Sequence, residues 1–172
     1  MKLASVIFAL IMLWLTPLSA QVTRVTLKVD GLACAFCAYG LQKGLKRIEG
    51  VQDVKVYVDA GRAELLIKQA VPVALEDIEP AVKNAGYTPR EITVEASGRL
   101  VDWNGQPALT VERTGEGFLL NGTDAVTKLR AALGVKGKGA TVTVIGRLEK
   151  VTPPAHHGHP VTLRLERFTM NP

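Results

Sequence analysis

Apolar and polar side chains alternate first over residues 24–29, RVTLKV, where Val25, Leu27 and Val29 fall on one side of an extended backbone and predict a half-buried strand. Asp30-Gly31 interrupts it. From about Phe36 to Ile48 the period changes, with Leu41, Leu45 and Ile48 at helical spacing and Gly50 as a stop signal. The stretch VQDVKVYVD alternates again, with Val54, Val56 and Val58 on one face; Asp59 to Gly61 supplies a turn and RAELLIK leads back, which predicts a hairpin. Beyond Val71-Pro72, Leu75, Ile78, Val82 and Ala85 recur at helical spacing up to Gly86, with Pro80 either kinking this helix or marking its first turn. A short strand is expected from Arg90 to Glu95. The order strand, helix, strand, strand, helix, strand over residues 21–95 predicts an α+β ferredoxin-like βαββαβ sandwich, two helices on one face of a four-stranded antiparallel sheet.

Residues 96–172 read as a second unit. SGRLVDW and PALTVER flank Asn104-Gly105, a strong hairpin signal. A Gly-Glu-Gly turn leads to FLL, after which Thr123 or Asp124 can cap a helix carrying Val126, Leu129 and Leu133 and ended by Gly134. Two long alternating strands follow, ATVTVIGRLEKV and VTLRLERFTM, joined by TPPAHHGHP. Three strands, a helix and two strands predict a small OB-like β-barrel, against an unclassified small barrel or an extended sheet. Its larger aromatics, Trp103, Phe118 and Phe168, are spaced as core residues, which leaves a docking or spacer role for the unit.

The first twenty residues follow a different pattern. Lys2 precedes an apolar run from Leu3 to Leu15, then Thr16-Pro17-Leu18-Ser19-Ala20, the charged start, apolar middle and small-residue end of an export signal. A bilayer-spanning helix needs ~20 apolar residues, and Pro17 with its polar neighbours cuts this one short. Cleavage after Ala20 is expected, giving a periplasmic or extracellular protein; an uncleaved membrane anchor is the other reading. The chain beyond residue 20 is long enough for two small domains, and the full sequence, at 47% hydrophobic and 22% charged, can bury cores. The net charge of +5 forms no dense Lys/Arg stripe, so no nucleic-acid partner is expected. Neither a Ser/His/Asp set nor a Gly-rich phosphate loop appears, and the expectation is a binding protein rather than an enzyme.

Both cysteines of the chain, Cys34 and Cys37, stand two residues apart where the first strand gives way to the first helix. Two thiolates so placed, one on a loop and one opening a helix, can turn toward one ion, and thiolates prefer soft cations. The helix N-terminus favours the Cys37 thiolate. Two ligands suit linear Cu(I) or Hg(II) and leave tetrahedral Zn(II) short by two, though Zn(II) is not excluded. An exposed, under-coordinated ion can pass by ligand exchange to another thiol pair.

Around these cysteines the chain resembles the heavy-metal-associated domain of mercury-binding periplasmic proteins, copper chaperones and metal-pumping ATPases. The resemblance rests on the strand ending in Asp30-Gly31, the loop from Gly31 to Cys37, RIEGVQDVKVYVD and AVKNAGYTPR, and covers residues 22–94. It implies a ferredoxin-like fold, Cys34 and Cys37 as ligands, and relay of the ion to a membrane transporter. Leu32 stands where the family commonly has Met, and Ala33 where it commonly has Thr; neither change removes a ligand, and Leu32 is expected to pack beneath the loop. Tyr87 resembles the residue of the mercury-binding and pump-module branches, where soluble copper chaperones tend to carry Lys. Phe36 and Tyr39 are expected to be core or loop-packing residues.

Two rival readings of the pair stay open. An inert Cys34–Cys37 disulfide in a structural or docking protein suits an oxidising compartment. A thiol-disulfide oxidoreductase is the other, opposed by the element order and by the lack of an aromatic residue before Cys34. His156, His157 and His159 fall in one Pro/Gly-flanked connection and form a secondary candidate site for Cu(II), Ni(II) or Zn(II), against the reading of a solvated polar loop.

Overall fold

Strand β1 (Gln21–Asp30) buries Val25, Leu27 and Val29, as its alternation predicts, and a bulge between Val22 and Arg24 brings Val22 onto the same face. The computed structural model describes residues 21–33, 35–136, 140–149 and 161–171; residues 1–20, expected to form an export signal, Cys34 and the three histidines lie outside them. Helix α1 (Ala35–Leu45) turns Ala38, Leu41 and Leu45 into the core. After it, Gly50 adopts φ +80°, and a Cβ there would lie 2.3 Å from the Pro72 carbonyl oxygen, so backbone and space both demand glycine. Strands β2 (Val51–Tyr57) and β3 (Arg62–Ile67) form the predicted hairpin. A 3-10 turn at Leu75–Asp77 runs into α2 (Ile78–Asn84). Pro80 is the third residue of α2, where no intrahelical bond exists for it to break; it belongs to the first turn and is no kink.

Strand β4 (Thr88–Trp103) completes an antiparallel sheet in the order β2-β3-β1-β4, on which α1 and α2 pack, the ferredoxin-like arrangement. The short strand expected at Arg90 to Glu95 and the one expected after it are a single strand of 16 residues. Gly98 lies inside this strand for a reason of space. A Cβ on it would come within 2.5 Å of the Thr110 carbonyl oxygen, so the glycine lets a neighbouring strand approach while β4 continues.

That neighbour is β5 (Gln106–Thr110), reached through Asn104-Gly105 with φ +53° and +82°, a two-residue turn with both φ positive. Then come β6 (Gly117–Asn121), α3 (Thr123–Lys136), β7 (Thr141–Leu148) and β8 (Val161–Met170). Helix α3 runs through Gly134 rather than stopping there, since an interior glycine costs a helix only about 1 kcal/mol. Pairing proceeds β4-β5-β6-β8-β7, and β7 returns to β4 along Thr93 to Arg99, closing a five-stranded barrel in which only β6 and β8 run parallel. Phe118 and Leu129 are fully buried, as the sequence suggested; Trp103, expected in the core, sits at the hairpin tip and is 48% exposed.

The two units are continuous. Residues 93–97 of β4 pair with β1 on one edge and β7 on the other, so the border at 95/96 falls inside a shared strand. One hydrophobic cluster runs from Val22 to Leu165 through both. On the open face of the sheet, Lys28, Glu91, Arg147 and Glu166 link β1, β4, β7 and β8 by successive ion pairs of 3.4, 3.0 and 3.1 Å. Glu116, between β5 and β6, accepts the Val73 N–H at 3.0 Å, tying the barrel to the segment that leads into α2. Among the described residues no helix is long and apolar enough to cross a membrane.

Candidate metal centre

The site is built at the end of the sheet where β1 stops and β4 begins, with Asp30 paired to Thr88. Gly31 leaves the strand at φ +94°, a conformation that side chains disfavour, and turns the chain toward α1. Leu32 is half-buried and packs on the core beneath this loop, as expected; Ala33 is exposed. Cys34 lies outside the described residues, and Cys37 is the third residue of α1. A third-position residue keeps a backbone N–H without an intrahelical acceptor, and the first turn of α1 holds no acidic residue to oppose the helix dipole. A thiolate in that turn is favoured by its own helix.

Two features hold the loop from the α2 side. Helix α2 ends in a paired cap: the Gly86 N–H donates to the Lys83 carbonyl at 2.9 Å and the Tyr87 N–H to the Val82 carbonyl at 3.1 Å, with Gly86 at φ +86°. This cap delivers Tyr87 against the core, its ring so close to Gly31 that a Cβ there would stand 3.5 Å from Tyr87 Cδ1. Beside it, both Arg90 Nε and a terminal Arg90 nitrogen reach one Asp30 carboxylate oxygen at 2.6 Å. The pair is half exposed and fixes the β1–β4 end more by geometry than by energy.

Phe36 and Tyr39 depart from the expectation of burial. Phe36 is 92% exposed and Tyr39 66% exposed. The helical phase explains it, because α1 spends its inward side on Ala38, Leu41 and Leu45 and these rings fall opposite. His156, His157 and His159 are outside the described residues; the strands that carry their connection, β7 and β8, pair through Leu148 and Leu163.

The model of the heavy-metal-associated domain matches residues 26–88. The copper chaperone CopZ of Bacillus subtilis is 31% identical over 62 residues, which make up 36% of this chain and 88% of that protein. The chain belongs to the heavy-metal-associated domain family. The periplasmic component of a mercuric transport protein from Serratia marcescens is 30% identical to it over 71 residues, 41% of this chain and 77% of the relative. The copper-transporting ATPase HMA5 of rice (Oryza sativa subsp. japonica) is 34% identical over 68 residues, 40% of this chain, and the chain spans only 7% of the length of that ATPase. The heavy-metal-associated module thus occupies the first part of the described chain, and the loop and helix start described above are its own.

Proposed function

We propose that the protein is an exported carrier of a soft metal ion, Cu(I) or Hg(II), held between the thiolates of Cys34 and Cys37 and handed on to a membrane transporter. The observation that carries this reading is the placement of Cys37 in the acid-free first turn of α1, directly after the Gly31 turn of a heavy-metal-associated module. Two thiolates leave the ion under-coordinated, which suits release to a second thiol pair; Zn(II) binds less well because it seeks four ligands. The relatives named for copper and for mercuric transport support the choice of metals, and the periplasmic name of the second is in keeping with export.

Residues 96–172 act as an OB-like barrel that supports the module, the 21–95 unit sharing β4 with it. The closed ring β4-β5-β6-β8-β7, its one parallel pair and the helix between β6 and β7 support this assignment. His156, His157 and His159 form a secondary, weaker metal site. Strand β7 runs antiparallel to β4 toward the end where Thr88 meets Asp30, and the histidines follow it in the chain.

Anaerobic titration of the reduced chain 21–172 with Cu(I), Hg(II) and Zn(II) against competing chelators, beside a Cys34→Ser, Cys37→Ser variant, tests the proposal. One tight equivalent present in the first and lost in the second is expected. Absence of cysteine-dependent binding would return the pair to the disulfide or redox readings.

A further inference from the structure

The outward side of α1 has a composition of its own. Phe36, Tyr39 and Lys43 recur at i, i+3 and i+7, all exposed, opposite the buried Ala38, Leu41 and Leu45, and Arg47, in the turn two residues past the helix end, is exposed as well. The segment 35–48 holds three cations, Lys43, Lys46 and Arg47, and no acid. Lys46 is engaged by Asp53 at 3.1 Å, whereas among the described residues Lys43 and Arg47 make no ion pair. The two rings at the helix start are thus followed by two open cations, Lys43 on the same helix face and Arg47 just past the helix end.

Phe36 and Tyr39 project from a convex helix surface, 92% and 66% exposed. Projecting rings beside open cations suit a yielding anionic surface, since the boundary between lipid headgroups and acyl chains admits aromatic rings while anionic headgroups attract lysine and arginine. A folded protein partner would need a pocket shaped for Phe36; a bilayer needs none.

We propose that the outer face of α1 docks this protein on an anionic bilayer surface, with Phe36 and Tyr39 in the headgroup layer and Lys43 and Arg47 against lipid phosphates. Phe36 stands between Cys34 and Cys37 in the chain, so this docking brings the cysteine segment to the membrane. The proposal does not depend on metal binding, and metal-free protein is its proper test.

Flotation of the reduced, metal-free chain 21–172 with vesicles of phosphatidylcholine, alone or mixed with phosphatidylglycerol, decides it. Binding to the mixed vesicles only, weakening as salt rises, is expected. Lys43→Glu with Arg47→Glu should weaken it roughly 30-fold or more, two cations each contributing about fivefold. Phe36→Ser with Tyr39→Ser should weaken it about tenfold or more. Lys128→Glu, on the first turns of α3, should leave it unchanged, and circular dichroism should show every variant folded. Failure to bind the mixed vesicles would overturn the proposal, as would binding that the ring variant leaves intact, which would reduce it to diffuse charge attraction.

Discussion

Replacing Glu116 probes how the barrel grips the metal module. Its Oε1 accepts the Val73 N–H at 3.0 Å and its Oε2 the Thr114 hydroxyl at 2.6 Å. Burial pushes the carboxyl above the ordinary glutamate value, while these two hydrogen bonds pull it down. Val73 is itself buried, so Glu116→Ala leaves its N–H without a partner in a dry place, at a cost of about 1–3 kcal/mol. In a chain of this size each kcal/mol lowers Tm by roughly 2–4 °C. Glu116→Gln keeps an oxygen for the Val73 N–H and removes the charge. The folded carboxyl titrates above the unfolded one, so its contribution is fully present below the unfolded value and is lost as pH rises through the folded value. At neutral pH the Gln variant should therefore equal or exceed the parent, and in mild acid the parent should gain on it. Urea unfolding of the reduced chain at several pH values reads both effects. A Gln variant as unstable as the Ala variant, or a parent-minus-Gln difference that is flat with pH, would refute the reasoning.

Four further outcomes follow from the geometry. Gly98→Ala should cost about 1–3 kcal/mol in urea unfolding, because its Cβ meets Thr110 and Leu109, whereas Gly40→Ala, with open space around it in α1, should gain about 0.5–1 kcal/mol. Arg147→Ala, removing a half-exposed link between Glu91 and Glu166, should cost less than about 1 kcal/mol by the same measurement. Tyr87→Ala should weaken Cu(I) or Hg(II) retention in chelator competition by loosening the Gly31 turn, and Tyr87→Phe should restore it. Replacing His156, His157 and His159 by Ala should remove a weaker Cu(II) equivalent and spare the thiol-held one; unchanged stoichiometry would take the histidines out of the proposal.

The ferredoxin-like half was legible because each strand buries a single face, so period-two runs such as Val25, Leu27 and Val29 speak for themselves. The same logic was available for Phe36 and Tyr39: the phase set by Leu41 and Leu45 already puts them outward, and their apolar character alone suggested otherwise. The role of Gly98 was hidden for a different reason. Its partner, Thr110, is twelve residues on, and nothing local separates a glycine that turns the chain from one that makes room. The Glu116–Val73 bond spans 43 residues and leaves no trace in any window of sequence. The Gly31 turn and the helix that follows it were readable from local signals, whereas Tyr87 reaches Gly31 only through the cap that ends α2.

The sharing of β4 also changes what the molecule offers to other chains. An isolated four-stranded sheet of this order has two lateral rims, each a row of unused N–H and C=O groups able to recruit a foreign strand. Here β7 occupies the β4 rim from Thr93 to Arg99, so of the two rims of that four-stranded sheet β2 stays open, with the short stretch of β4 before Thr93. Strand β2 is short, irregular between Val51 and Asp53, and carries Asp53 and Lys55. Fusion to the barrel thus halves the routes to self-association and leaves the remaining long one guarded by charge and a bulge.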